Sequence, residues 1–166
     1  MNLDKKLNFQ INVGRLEQNG NSVYNNIRSM FDGLSAAGHT LTERQWTTHD
    51  QFLSAVGSVD IGMQVSMTET FNIVAADFIH EGVPVVTSNE VPWVSSWWVA
   101  DPNDKNDMVE KLHRTYNHSS FNAWMNRNNL RHYVNGARDE WLNFLNKKRK
   151  VRPSGFIYSA ILGTRI

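Results

Sequence analysis

A chain of 166 residues suits one domain or a little more and can bury a sizeable hydrophobic core. Hydrophobic residues make up 40% and charged residues 20%, and the formal net charge of +1 gives no overall field toward nucleic acid or membranes. The absence of cysteine excludes disulfides, a thiolate nucleophile and cysteine metal sites. No apolar run approaches the roughly 18 residues of a membrane span, and no signal-like apolar core follows residues 1–6, so we expect a cytoplasmic protein.

The first third of the chain predicts two strands and two helices. Residues 7–13 alternate apolar and polar side chains, as a strand does, and Ser22 is the expected N-cap of a helix over residues 23–34. A turn at residues 35–39 leads to a strand over 41–46, and Thr48 or His49 then caps a helix over 50–56. The apolar stripe of the first helix comprises Val23, Ile27, Met30, Phe31 and Leu34.

Residues 59–88 predict a strand, a loop, a helix and a second strand. Residues 59–65 are apolar nearly throughout, as in a parallel strand covered on both faces. The helix is expected to have Glu69 in its first turn and to end at Glu81 and Gly82, before a strand over 83–86. Such a crossover joins parallel strands, so we expect an α/β fold with a mostly parallel sheet and helices on both faces. Ligands of these sheets bind beyond the carboxyl ends of the strands.

A motif runs through this stretch: Ser66, then Glu69, then seven residues, Asp77, and finally residues 82–86 (GVPVV). It resembles the donor-binding core of retaining glycosyltransferases with the GT-B architecture, with Asp77 in place of the family's second Glu. The resemblance covers about residues 40–116. It implies a Rossmann-like domain that is one half of such an enzyme.

The resemblance also implies an activity, the transfer of a sugar from a UDP- or GDP-sugar to an acceptor hydroxyl. In the family the first Glu binds the hexose and the second binds the ribose, roles that fall here to Glu69, the candidate catalytic residue, and to Asp77. The leaving phosphate itself would take the acceptor proton, and no cofactor and no metal are expected. The six histidines show no metal-ligand spacing.

The central loop has a physical reason to bind a diphosphate. A helix N-terminus presents unpaired N–H groups and a partial positive charge. Asp77 lies two turns beyond Glu69, roughly 12 Å along the helix axis, which suits one acid on the sugar and one on the ribose. The alternative is that Glu69 only complements the helix dipole and that Asp77 is a solvated residue. The candidate donor-binding residues of this region are Ser66, Thr68 and, through their main-chain N–H groups, Phe71, Asn72 and Ile73.

Four residues outside the loop take candidate donor-binding roles from the resemblance. Arg15 would clamp the diphosphate, or else be a solvated loop arginine. Trp46 would stack on the base or pack in the core, and His49 would contact phosphate or cap its helix. Glu90 follows the second strand and is expected to face the donor pocket.

The opening segment resembles the second strand–helix unit of the glycosyltransferase donor domain. We therefore expect the chain to begin inside the fold and to lack the acceptor-binding domain. A partner chain that supplies this domain, or a homo-oligomer, is the corresponding expectation. Three neighbouring tryptophans, Trp93, Trp97 and Trp98, are interpreted as packing residues or as a partner surface.

The second half predicts a strand at residues 97–100, a helix over 103–116 capped at Asp101 and Pro102, and a long helix over about 121–145. A nucleotide-sugar-binding domain would thus occupy residues 1–146, followed by a tail over 147–166. The tail begins with a basic run, either a nucleic-acid patch or a solvated helix end, and continues as an apolar edge strand or docked segment. The expected core stripe of the long helix is Trp124, Leu130, Tyr133, Val134, Ala137, Trp141 and Leu145.

Three functional classes follow from these patterns. The first is a glycosyltransferase donor domain that depends on Glu69 and Asp77. The second is a nucleotide-sugar-binding or scaffolding module without catalysis that works with a partner chain. The third is nucleic-acid binding through residues 147–152, which the low net charge disfavours.

Overall fold

The computed structural model describes residues 5–14, 16 and 20–148. Arg15 and the tail from residue 149 onward, including most of the basic run, lie outside the described residues. Within the described part the fold is α/β, as expected, with five α-helices and two parallel sheets of two strands each. The sheets are smaller than the single mostly parallel sheet that the sequence predicts. No helix in the described ranges has the length and apolar character needed to cross a membrane.

The chain divides into two compact units, Met1–Phe52 and Leu53–Ile166. The strands are β1 (Asn8–Asn12), β2 (Thr40–Arg44), β3 (Gly62–Gln64) and β4 (Val85–Thr87). The helices are α1 (Gly20–Leu34), α2 (His49–Val56), α3 (Ile73–His80), α4 (Lys105–Asn117) and α5 (Ser119–Lys148). Short 3₁₀ helices lie at Ser35–Ala37 and Ser96–Trp98.

In the first unit, α1 packs on the parallel pair of β1 and β2. Phe31 stacks on Phe9, with ring centroids 5.7 Å apart and the planes 10° from parallel. The predicted apolar stripe of α1 faces the sheet only in part, because Val23 and Met30 are exposed. Ser22 is not the N-cap, since α1 already begins at Gly20.

A polar contact also joins α1 to β2. Arg28 Nε lies 3.9 Å from Glu43 Oε1, and both side chains are partly exposed. The Glu43 carboxylate accepts a hydrogen bond from Tyr24, which raises the pKa of the tyrosine hydroxyl above its ordinary value.

In the second unit, β3 and β4 pair in parallel with Gly62 opposite Val85, and α3 connects them. The predicted strand–helix–strand order is confirmed with shorter elements. β3 covers only Gly62–Gln64 of the expected 59–65, and α3 begins at Ile73.

The C-terminus of α3 lies where the sequence predicts it. Gly82 adopts a left-handed conformation with φ of +83°, and its N–H bonds Ile79 O at 3.2 Å. The N–H of Val83 bonds Phe78 O at 2.8 Å, which completes a Schellman motif. From α5, Arg127 Nη2 donates to Ile79 O at 3.0 Å and to His80 O at 3.1 Å. The last carbonyls of α3 are thereby satisfied.

The hydrophobic core of the second unit lies between α3, β4 and the segment after β4. Its buried members are Ala75, Ile79, Val85, Val91, Trp93, Val94 and Trp98. Gly62 lets α3 approach β3 closely, because a Cβ at this position would lie 2.6 Å from the ring of Phe78.

Helix α5 is longer than its predicted range but buries a different face. Trp124 and Trp141 are 62% and 64% exposed, so the predicted core stripe is wrong for most of its members. The buried residues of α5 are Asn122, Ala123 and Asn126, near its N-terminus. The spacing of apolar residues in the sequence does not reveal a helix face that packs through side-chain amides.

Asn122 covers the edge of β4 that faces away from β3. Its Oδ1 accepts from Val85 N at 3.0 Å, and its Nδ2 donates to Val85 O at 2.8 Å. Asn126 supports this arrangement, since its Nδ2 donates to Asn122 Oδ1 at 3.1 Å and its Oδ1 accepts from Ser95 N at 3.0 Å. One side-chain amide therefore takes the place of a neighbouring strand.

The strand predicted at residues 97–100 is not formed. The segment is a 3₁₀ helix at Ser96–Trp98, followed by a single parallel bridge from Val99 to Thr87. The cap of α4 is Asp104 and not Asp101, because Asp104 Oδ1 accepts from the main-chain N–H groups of the first turn, Asn106 and Asp107, at 2.8 and 3.3 Å.

We expect Gly62→Ala to lower the free energy of unfolding by about 1–3 kcal/mol, because the new methyl group would force Phe78 and α3 away from β3. Chemical denaturation followed by circular dichroism measures this change. Gly136→Ala in α5 is the control, since a Cβ there meets nothing within 4 Å, and it should stabilise by about 0.5–1 kcal/mol. Equal behaviour of the two variants would contradict the close packing at Gly62.

Asn122→Ala should destabilise the protein by about 2–4 kcal/mol, because it leaves the buried N–H and C=O of Val85 without partners. Asn143→Ala, an exposed change on the same helix, should be close to neutral. Urea midpoints compare the two variants, and a mild effect of Asn122→Ala would mean that β4 does not depend on this amide.

Candidate functional site

The candidate site lies where β3 and β4 end. Because the strands are parallel, their carboxyl ends meet at one edge of the sheet. The loop over residues 65–72 follows β3 at this edge, and residues 88–90 follow β4. The N–H of Ser88 donates to Gln64 O at 3.3 Å and ties the two ends together. A surface depression of about 290 Å³ is lined by Thr68, Glu69 and Thr70 of the loop.

Glu69 lies in this loop and not in a helix. It is half-buried, and its Oε2 accepts a hydrogen bond from Thr70 N at 3.2 Å. The prediction that it occupies the first turn of α3 is wrong, because the chain turns sharply at Asn72 before the helix starts at Ile73. Glu69 is thus one of the loop residues that line the depression.

Asn72 is the N-cap of α3, and sequence reasoning missed this role. It is buried and has a left-handed conformation with φ of +55°, and no other described residue except glycine has a positive φ. Its Oδ1 accepts from Ala75 N at 2.8 Å, and its Nδ2 donates to Gln64 Oε1 at 3.4 Å. Asparagine is both a preferred N-cap and one of the residues that best tolerate this conformation, which is the signal available in the sequence.

The helix start at Ile73 changes which N–H groups can bind an anion. The predicted set was that of Phe71, Asn72 and Ile73, but the first two precede the helix. The N–H groups of the first turn belong to Ile73, Val74 and Ala75, and the third is already bonded by the Asn72 side chain. Two helical N–H groups, those of Ile73 and Val74, therefore lie at the N-terminus beside the loop.

Phe71 anchors the loop through its ring and its carbonyl. Its ring centroid lies 6.2 Å from that of Trp93 and 6.0 Å from that of Tyr133 on α5. The indole N–H of Trp93 donates to Phe71 O at 2.7 Å. These contacts hold the loop on the core and give the Phe71 ring a packing role, while the donor contact of its N–H stays a prediction.

The remaining loop and helix candidates are placed as follows. Ser66 is half-buried, whereas Thr68 and Ile73 are exposed. Asp77 is half-buried in the second turn of α3. The expected 12 Å helical spacing from Glu69 to Asp77 does not apply, since only Asp77 lies on the helix.

Two hydroxyl groups at the end of β4 were not singled out from the sequence. Thr87 and Ser88 are fully buried, and neither Thr87 Oγ1 nor Ser88 Oγ has a hydrogen-bond partner among the described residues. Glu90, two residues further, is half-buried at the same edge of the sheet. These two hydroxyl groups are therefore buried hydrogen-bond donors at the carboxyl end of β4, and they add polar groups to this edge of the sheet.

The other two described candidates lie in the first unit. Trp46, two residues after β2, is 71% exposed, so the alternative of a core tryptophan is wrong. His49 is the first residue of α2, and Thr48 is its cap. Gln51 N donates to Thr48 Oγ1 at 3.4 Å while Thr48 N donates to Gln51 Oε1 at 3.2 Å, a reciprocal capping box.

Across residues 5–14, 16 and 20–148, no three histidine or acidic side chains are grouped so that they could hold a metal ion. No protein-family model, curated protein or solved structure matches this chain. The resemblance therefore rests on the sequence motif alone.

We expect Asn72→Ala to lower the free energy of unfolding by about 1–2 kcal/mol, because alanine loses the cap and tolerates a positive φ poorly. Asn72→Gly keeps the backbone freedom and is expected to cost about 1 kcal/mol less. Thermal and urea unfolding of the two variants test this order. A glycine variant no more stable than the alanine variant would show that the backbone conformation carries no strain.

Proposed function

We propose that the second unit is the donor-binding region of a retaining, Rossmann-like glycosyltransferase of the GT-B type, and that it binds a nucleotide sugar at the loop over residues 65–72. The observation that carries this proposal is the position of Glu69. Glu69 lines a depression in the loop that leaves the shared carboxyl edge of two parallel strands, ahead of the helix N-terminus at Ile73. Ligands of parallel sheets bind at this edge.

In this proposal Glu69 binds the donor sugar. A carboxylate accepts hydrogen bonds through two oxygens and can hold two neighbouring sugar hydroxyls. The single N–H that Glu69 accepts, from Thr70, orients the carboxylate without exhausting its acceptor capacity. The hydroxyls of Ser66 and Thr68 lie within three residues of it on the same loop.

The diphosphate lies at the N-terminus of α3. The N–H groups of Ile73 and Val74 and the positive end of the helix dipole attract it, and they oppose the charge that develops as the glycosidic bond breaks. Asp77, in the next turn, is assigned to the ribose. The sugar then passes to an acceptor hydroxyl, whose proton goes to the leaving phosphate.

Phe71 and Asn72 support the site by holding its backbone. The Trp93 and Tyr133 rings fix Phe71, and the buried amide of Asn72 fixes the turn into α3. A preorganised loop costs less entropy on binding than a mobile one, which favours recognition by few contacts.

Calorimetric titration with UDP, GDP, ADP and UDP-glucose tests the proposal on the full chain. We expect one nucleotide or nucleotide sugar to bind, and Glu69→Gln to weaken the nucleotide sugar at least tenfold while the free nucleotide changes little, because the carboxylate contacts the sugar. Glu140→Gln, an exposed acid on α5, is the matched control and should change neither affinity.

The outcomes separate the candidate functions. Binding that requires Glu69, with sugar transfer once an acceptor domain is supplied, supports the enzyme. Binding that requires Glu69 without any transfer supports a non-catalytic nucleotide-sugar module that works with a partner chain. Failure of all four ligands to bind, or equal binding by the Glu69 and Glu140 variants, would overturn the proposed site.

A further inference from the structure

A second cavity of the same unit lies apart from the donor loop. It measures about 280 Å³ and is formed by the 3₁₀ helix at Ser96–Trp98, the end of α4 and the start of α5. It shares no lining residue with the depression around Glu69. The residues that line it are Trp97, Trp98, Arg114, His118 and Phe121.

The cavity is predominantly aromatic, and its aromatic surface continues onto the exterior. Trp97 is 58% exposed at its rim, whereas Trp98 is only 1% exposed. Phe121 packs edge-on against Trp98 at 6.3 Å and stacks on Trp124 at 6.0 Å with 20° between the planes. An exposed tryptophan beside a stacked aromatic pair offers flat faces whose negative charge attracts polarised C–H groups.

The polar groups of the cavity form a nearly neutral set. Arg114 Nη1 donates to Trp97 O at 3.2 Å, and Arg114 Nη2 pairs with Glu110 Oε1 at 2.6 Å. The guanidinium is therefore held in place, and its charge is compensated by a carboxylate. A phosphate or carboxylate ligand would have to compete with Glu110 for the guanidinium and would gain little, whereas a hydroxyl can accept from another N–H of Arg114 without displacing that carboxylate.

Trp98 carries one further polar group. Its indole N–H has no hydrogen-bond acceptor within the described part of the chain, although the residue lies at the buried side of the cavity. A buried donor without an acceptor is unfavourable. The nitrogen is itself shielded from solvent, so Trp98 contributes its ring and not this donor to the cavity.

We propose that this cavity binds a neutral carbohydrate. A sugar ring has a C–H face that packs on Trp97 and an edge of hydroxyls that match the Arg114 guanidinium and the His118 imidazole. This inference does not depend on the donor site, because the two cavities have no residue in common.

The test is a titration of the full chain with methyl glucoside, methyl galactoside, methyl mannoside and N-acetylglucosamine, with glucose 6-phosphate as the anionic probe. The six tryptophans give indole N–H signals that can be assigned by substitution. We expect at least one neutral sugar to shift the signals of Trp97 and Trp98 with saturation, and the Trp141 signal to remain in place. Trp97→Ala should weaken this binding about tenfold.

Trp141→Ala is the matched control, because Trp141 is a similarly exposed tryptophan elsewhere on α5, and it should leave the affinity unchanged. Trp124→Ala is a second test variant at an exposed position, and it should also weaken the binding. It tests the proposal even if Trp97→Ala does not fold. Absence of binding by every neutral sugar up to its solubility limit would overturn the proposal. Tighter binding of glucose 6-phosphate than of methyl glucoside, or a homodimer that Trp97→Ala dissociates, would overturn it as well.

Discussion

The second unit depends on the side-chain amide of Asn122, which bonds the main chain of β4 as a neighbouring strand would. In the register of β3 and β4, the N–H and C=O of Val85 face away from β3, and Asn122 bonds both. Two buried main-chain groups are thereby satisfied, and the N-terminus of α5 is fixed on the sheet. Further along the same edge, Ala100 N donates to Thr87 O at 2.7 Å. A short β4 can therefore lie in the interior without a second neighbouring strand.

This arrangement determines where the polar loop after β3 lies. Since α5 is held by Asn122, its Tyr133 is available to pack on Phe71, and Trp93 closes the other side. The loop is thus attached to the core at Phe71, and Asn72 makes the sharp turn into α3 by adopting an unusual backbone conformation. Strained residues persist where the surroundings over-determine them, and such positions cluster at ligand sites. Glu69 lies three residues before this turn and is half-buried.

The two proposed sites use different physical means. At the loop, a carboxylate and the N-terminus of α3 combine charges of opposite sign, which suits a ligand that carries both hydroxyls and phosphates. In the second cavity Arg114 is compensated by Glu110, and the surrounding surface is aromatic, which suits an uncharged ligand. Two of the aromatic residues that line it, Trp97 and Trp98, belong to the strand predicted over residues 97–100 and lie instead in the 3₁₀ helix at Ser96–Trp98.

The sequence by itself determined the α/β class, the order of strands and helices as far as β4, and the end of α3 at Gly82, because these follow from local periodicity and from glycine's access to a positive φ. It also brought Ser66, Glu69 and Glu90 to the carboxyl ends of the two strands. Only the tertiary structure decided that α3 starts at Ile73, that α5 packs through Asn122 and Asn126, and that its tryptophans face outward. The physical reason is that apolar spacing reports hydrophobic faces, whereas the buried amides of Asn122 and Asn126 gain their stability from partners 37 and 31 residues away in the chain.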